Sequence, residues 1–160
     1  MAFDTFLKME GLEGEATAKG FEGAIEVQAF SFGASNPVNM AGTGMGSGKV
    51  SISSFSIMKK TDKTSPDFFT KCCAGDHYDS ATLSLRKAGG EQMIYLEYKM
   101  KNVFIESVQW SGSSGGDDVP TESLSLAFEV IEISYKPQDD KGAQAGSVDA
   151  SWNNRLVASV

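Results

Sequence analysis

The sequence predicts a mainly β protein, a bent antiparallel β-barrel or sandwich with one short flanking α-helix at about residues 65–75, and three observations carry that prediction. The first is apolar alternation at a period of two, in runs long enough to be strands, whose phase slips partway along: Ile25, Val27 and Ala29 share one parity, then Phe30 and Phe32 take the other. A slip sends every later side chain to the opposite face unless a bulge or sharp bend absorbs it, so a bulge is expected near Ala29. Repeated slips are how long strands turn corners and close on themselves. The second observation is that the runs are joined by turn-rich stretches, which suits antiparallel neighbours. The third is that only Ser65–Gly75, SPDFFTKCCAG, reads clearly as a helix.

Taken in order, Phe3 to Met9 is a short strand followed by a turn-rich segment, Glu10 to Gly20. After the Ile25–Phe32 run comes Asn36 to Gly48, NPVNMAGTGMGSG, thirteen residues without periodicity, four of them Gly. Loops of this length inside a compact domain are usually functional or disordered. The slipping alternation returns at Val50 and Ile52 against Phe55 and Ile57, at Ile94–Met100 against Val103 and Ile105, and at Leu124–Val130 against Ile131, Ile133 and Tyr135. KAGGE, Lys87 to Glu91, is expected as a hairpin loop with a positive-φ glycine, and Ser111 to Pro120 joins the next two strands. Gln138 to Val148 reads as a loose polar tail, and SWNNRLVA as a last short strand anchored by Trp152.

In the helix, Ser65 is placed to cap, Pro66 suits the first turn, Asp67 meets the positive end of the helix dipole and Gly75 stops it. Phe68, Phe69, Cys72 and Cys73 fall at i, i+1, i+4 and i+5 and so gather on one arc, the expected docking core. A helix this short is marginal alone and must dock on the sheet.

Composition bounds the function. At 160 residues the chain fits one domain over 1–160; a chain of about this size buries roughly 68–70% of its unfolded surface. The first residues lack a basic, then apolar, signal pattern, and nothing approaches the ~20 apolar residues of a membrane span, so synthesis in the cytoplasm without membrane insertion is expected. A formal charge of −7 disfavours nucleic acid and anionic membranes as partners. Two adjacent cysteines make no disulfide framework.

Features that suggest chemistry have simpler explanations. Gly42, Gly44, Gly46 and Gly48 before Lys49 resemble a phosphate loop, yet the Walker pattern needs Gly where Thr43 sits and Ser or Thr where Val50 sits. Cys72, Cys73 and His77 suggest a thiol nucleophile or zinc site; successive helical residues point about 100° apart, however, so the thiols cannot easily share a metal, and burial of the pair is the favoured reading. His77 is the only histidine, and no Ser-His-Asp set is identifiable. Asp117 and Asp118 read as a solvated turn. No cofactor, metal or catalytic residue is expected; a small thiol hydrolase built on Cys73 and His77 is the enzyme alternative.

Several segments together resemble one family: FSFGAS, the Gly-rich loop ending GSGKV, DKTSPDFFTKCCAGDHY, SLRKAGGEQMIYL and the terminal WNNR. They are similar over nearly the whole chain to the haemolysin-coregulated protein (Hcp) family, the tube subunit of the bacterial type VI secretion system. The resemblance implies a bent β-barrel with one helix, assembled as a homohexameric ring that stacks into a hollow tube. It also implies a contractile sheath and a spike trimer as partners, and small effector proteins carried in the lumen. The subunit would be cytoplasmic before firing, then delivered outside or into a target cell without a signal peptide. Phe30 and Phe32 depart from the tryptophan expected in many relatives, the vicinal Cys pair is no family requirement, and no fused effector domain is expected beyond Trp152. A contractile phage-type tail tube protein and another β-barrel binding module are the non-enzymatic alternatives.

Within that reading two surfaces stand out. Glu26, Gln28 and Ser31 lie on the polar side of the strand around Phe30 and Phe32, the face that would line the lumen and contact effectors. Asn39, Met40, Thr43, Met45 and Ser47, on the Gly-rich loop, would reach the neighbouring ring, with the methionines as adaptable apolar contacts.

Overall fold

A computed structural model describes residues 3–42, 44, 46–88, 92–116, 118–138 and 146–160. In chain order these form β1 (Phe3–Met9), β2 (Ile25–Glu26), β3 (Ala29–Ser31), β4 (Ala34–Ser35), β5 (Val38–Asn39), β6 (Gly46–Ser47), β7 (Ser51–Ile52), β8 (Phe55–Lys60), α1 (Ser65–Ala74), β9 (His77–Lys87), β10 (Ile94–Ser111), β11 (Thr121–Tyr135) and β12 (Val148–Asn153). Eight strands make one antiparallel sheet in the order β2-β1-β9-β10-β11-β8-β3, with β12 beside β11.

The first phase slip marks the place where this sheet curls round on itself. β2 pairs with β1 and β3 pairs with β8, so a single short run of chain touches both ends of the strand order. Val27 donates its N–H to Thr5 O at 3.1 Å, and the next residue, Gln28, donates to Met58 O at 2.8 Å. The expected bulge near Ala29 is therefore a strand break at which the chain exchanges one partner for another, and the exchange reverses which side chains face in.

The later slips have related causes. β11 pairs with β8 over Thr121–Leu126 and with β12 over Val130–Tyr135, and its buried parity changes between those stretches. In β10, Asn102 absorbs the slip between Met100 and Val103 by taking φ 52, and its Nδ2 donates to Glu129 Oε2 at 2.6 Å. Asn tolerates the left-handed region better than most residues. A register shift between Ile105 and Ser107 then changes the strand's parity once more, before Val108.

The enclosed core contains Leu7, Ile25, Phe55, Ile57, Leu83, Met100, Val103, Leu124 and Leu126, all fully buried. Each such side chain contributes about 1.5–3 kcal/mol relative to an exposed one. Phe30 and Phe32 close over this core from the edge, with ring centroids 5.9 and 5.2 Å from Phe55.

Three expectations need correction. Asn36–Gly48 is not an aperiodic loop: β4 pairs with β7 and β5 with β6, making a narrow two-stranded arm. Its base is tight, because Gly48 donates to Pro37 O at 2.7 Å and a Cβ on Gly48 would fall 2.5 Å from Pro37 Cγ. The last strand begins upstream of Ser151, at Val148; Asn154 to Val157 then turn back, and Ala158 bridges to Asn153. Ser65 does not cap the helix. Thr64 occupies that position without a side-chain cap, and the Ser65 hydroxyl is buried and used elsewhere. The Gly75 stop is present, at φ 66.

Candidate functional site

The helix presents two different lines of side chains. α1 packs on β10 as a single line at helical spacing, so Ser65 and Phe68 are buried and Cys72 is half-buried, with Sγ 3.7 Å from Glu106 O. Phe68 sits 6.0 Å from the Tyr78 ring. Phe69 and Cys73, one residue further round, are exposed, Phe69 by 52%. The four-residue docking arc is thus narrowed to Phe68 and Cys72: a helix lying against one strand buries one stripe, and residues about 100° away from it face out. Phe69 instead packs on Trp110, itself 41% exposed, with centroids 5.9 Å apart.

At the N-terminus of the helix lies a buried polar knot that the reading of the chain did not single out. Lys59 on β8 and Glu122 on β11 are cross-strand partners, and both side chains are inaccessible to solvent. They form an ion pair. Lys59 Nζ also donates to Asp62 Oδ1 at 3.0 Å and to Ser65 Oγ at 3.3 Å. Ser65 Oγ donates in turn to Glu122 Oε1 at 2.9 Å and accepts the Asp62 N–H at 3.0 Å. Glu122 Oε2 is buried without a hydrogen-bond partner among the described residues. The signal was present: Lys59 continues the inward parity of Phe55 and Ile57, and Glu122 that of Leu124 and Leu126, so two opposite charges stand where the core pattern demands apolar residues.

The strand residues Glu26, Gln28 and Ser31 are all exposed. Glu26 and Gln28 come together on a shallow cavity of about 410 Å³ with Glu15, Lys60, Thr61 and Asp62. Ser31 lies apart, paired across from Ser56 towards the base of the arm. On the arm, Asn39 caps its own turn by accepting the Ala41 N–H at 3.0 Å, and Met40 projects with 72% exposure beside Val38 at 59%. Ser47 lies on β6; Thr43 and Met45 lie outside the described residues.

The groups considered for chemistry are scattered. His77 is exposed, 3.7 Å from both Asp76 and Asp79, and rests on the Phe104 ring. The Asp76 carboxyl is held below the usual carboxylate range by the His77 N–H, with Lys71 second. Burial, and then the Asp67 carboxylate that accepts from its hydroxyl, push the Tyr78 phenol far up. Among the described residues no three His, Cys, Asp or Glu side chains converge as a metal site. Lys49 at the end of the Gly-rich stretch leads into β7 and not into a helix, so the anion-binding helix N-terminus of a phosphate loop is missing there.

The described residues form a curled antiparallel sheet with one short helix and a projecting arm. Comparison with known proteins gives this architecture a family. The family model described as type VI secretion system effector, Hcp, matches residues 6–135. The chain is 40% identical to protein hcp1 of Pseudomonas aeruginosa over 158 residues, 97% of each chain. Among solved structures it resembles a type six secretion system protein with a TM-score of 0.94 at 28% identity, covering 99% of this chain and 100% of that one. It also resembles Hcp1 of Salmonella typhimurium, with a TM-score of 0.79 at 27% identity and full coverage of both chains. The chain belongs to the Hcp family, whose members are secreted structural proteins, and it is a tube or secreted component of the type VI secretion system.

Proposed function

We propose that the chain, as one domain over residues 1–160, is the subunit of a hexameric ring that stacks into the secretion tube. The carrying observation is the sheet's open edges. Among the described residues, β12 has β11 as its one strand partner and is bridged on its other side only at Asn153, by Ala158, and β10 beyond Phe104 has a strand partner on one side only. Val148 on β12, and Phe104 and Trp110 on β10, are exposed apolar residues on these same strands. Open edges that carry apolar side chains invite pairing, and neighbouring copies arranged in a closed ring satisfy them.

In this reading Glu26, Gln28 and Ser31 face the channel, where small effectors ride, and Asn39, Met40, Thr43, Met45 and Ser47 on the arm meet the adjacent ring. Sheath and spike are the machine partners, and the subunit waits in the cytoplasm until firing. No cofactor or catalytic group enters the function. Light scattering on the pure protein tests it: a mass of six chains is expected, and a monomer at micromolar concentration overturns the ring.

A further inference from the structure

Beside the N-terminal half of α1 an apolar groove of about 440 Å³ is lined by Thr61, Asp62, Ser65, Pro66, Phe69 and Trp110. Its walls are the exposed faces of Phe69 and Trp110, whose planes meet at 51°. Phe69 and Trp110 stay 52% and 41% exposed. The arm is another exposed apolar feature: among the described residues its strands pair only with one another, and Val38 and Met40 stand out from it.

These two features lie at opposite ends of one strand. The arm leaves the sheet where Ser31 faces Ser56, at the Phe55 end of β8, and its rungs Ala34–Ile52, Ser35–Ser51, Val38–Ser47 and Asn39–Gly46 lead away from the sheet. The groove opens past the Lys60 end, where the Thr61 N–H donates to Pro120 O at 2.9 Å. Six residues of β8 separate them, roughly 20 Å of extended chain. Within one copy the arm therefore points away from the groove, whereas translating a second copy along β8 brings an arm to it.

Charge favours the same meeting. Residues 36–49 carry no acidic side chain and one cation, Lys49. The Ser111–Pro120 loop that carries on from Trp110 contains two aspartates and no base; Asp62 also lines the groove, its carboxylate already paired with Lys59.

We propose that the Phe69–Trp110 groove receives the Val38–Met40 tip of the arm of a second copy, stacked head to tail. Such a contact is heterologous, joining two different patches, so it repeats without closing and builds a column. It rests on the reading of the arm as the ring-stacking element and names the receptor for it.

The test is a pair of new cysteines, Met40→Cys with Phe69→Cys, in a chain freed of its own thiols by Cys72→Ser and Cys73→Ser. After mild oxidation, multi-chain species on a non-reducing gel are expected to exceed those of either single-cysteine variant by about tenfold or more, because apposed thiols have a high effective concentration. The linked species are expected to span more than one ring by size exclusion. Linkage confined within one ring or within one chain overturns the head-to-tail placement. Stacked tubes without linkage overturn the groove while leaving the arm's stacking role intact. Stacking that survives shortening of residues 40–46, or wild-type rings that never stack, overturns both.

Discussion

The two ends of β8 follow opposite designs. At the Lys60 end, Lys59, Asp62, Ser65 and Glu122 tie two strands and a helix together through buried, mutually hydrogen-bonded groups, beside the buried Phe68. At the Phe55 end the chain departs into an arm that holds itself together by a few rungs and offers its apolar side chains to solvent. Removing one member of a buried network leaves the remaining charges stranded, so the first end has little tolerance. The arm can change length or sequence without disturbing the sheet, since loop closure entropy varies slowly with length. Stability and assembly are thus assigned to different ends of one strand, and the comparison breaks if either end proves to do the other's work.

The largest effect is expected at the pair. Lys59→Met leaves Glu122 buried with no counter-charge and should cost about 3–5 kcal/mol, seen as a lower urea midpoint. Adding Glu122→Leu should recover most of that, because two packed apolar residues often match a buried ion pair or exceed it. A single variant that melts like wild type would mean that the pair is open to water.

A smaller loss is expected at Ser65→Ala. The hydroxyl donates to Glu122 and accepts from the Asp62 N–H, so its removal strips hydrogen bonds from buried partners and should cost about 1–3 kcal/mol. The helix N-terminus should loosen first, which amide exchange at Asp67 and Phe68 would report. Uniform loss of protection across the sheet would place Ser65 in the global core instead of at a local tether.

How much of this was legible depends on the range of each interaction. The strands, their slips and the helix were readable because burial on one face imposes a local period, and the Gly75 stop because it is a local backbone requirement. The meaning of each slip was not readable. Whether Val27–Gln28 makes a bulge or exchanges partners depends on Thr5 and Met58, far away in sequence. The helix pattern marked Phe68 and Phe69 alike, and only the position of β10 separates them. The arm escaped notice because its strands are two residues each, too short to show a period. For the surface residues Glu26, Gln28 and Ser31, the sequence foretold a polar face, and what that face meets is a property of the assembly.

At the arm, shortening residues 40–46 should leave the urea midpoint and the ring mass unchanged within error, a stability change inside about ±0.5 kcal/mol. Stacked tubes should vanish from micrographs. A lowered midpoint would show that the arm braces the sheet and would blur the contrast between the two ends of β8.

The smallest stability effect, with the most specific consequence, is expected at Ser31→Gln. Ser31 lies between Phe30 and Phe32 but projects to the opposite side, so the longer side chain enters solvent and the change should stay within about ±0.5 kcal/mol. Rings should form normally by size exclusion. If the face lines the channel, six added amide groups would encircle one level of it, changing both its width and its hydrogen-bonding character. A small effector that depends on this wall for shelter should then fall in abundance in the producing cells, while export of the tube subunit continues. Immunoblots of effector and subunit from the same cells provide the comparison. Effector levels that do not change would put Ser31 on the outside of the tube, and loss of the ring would put it at a contact between subunits.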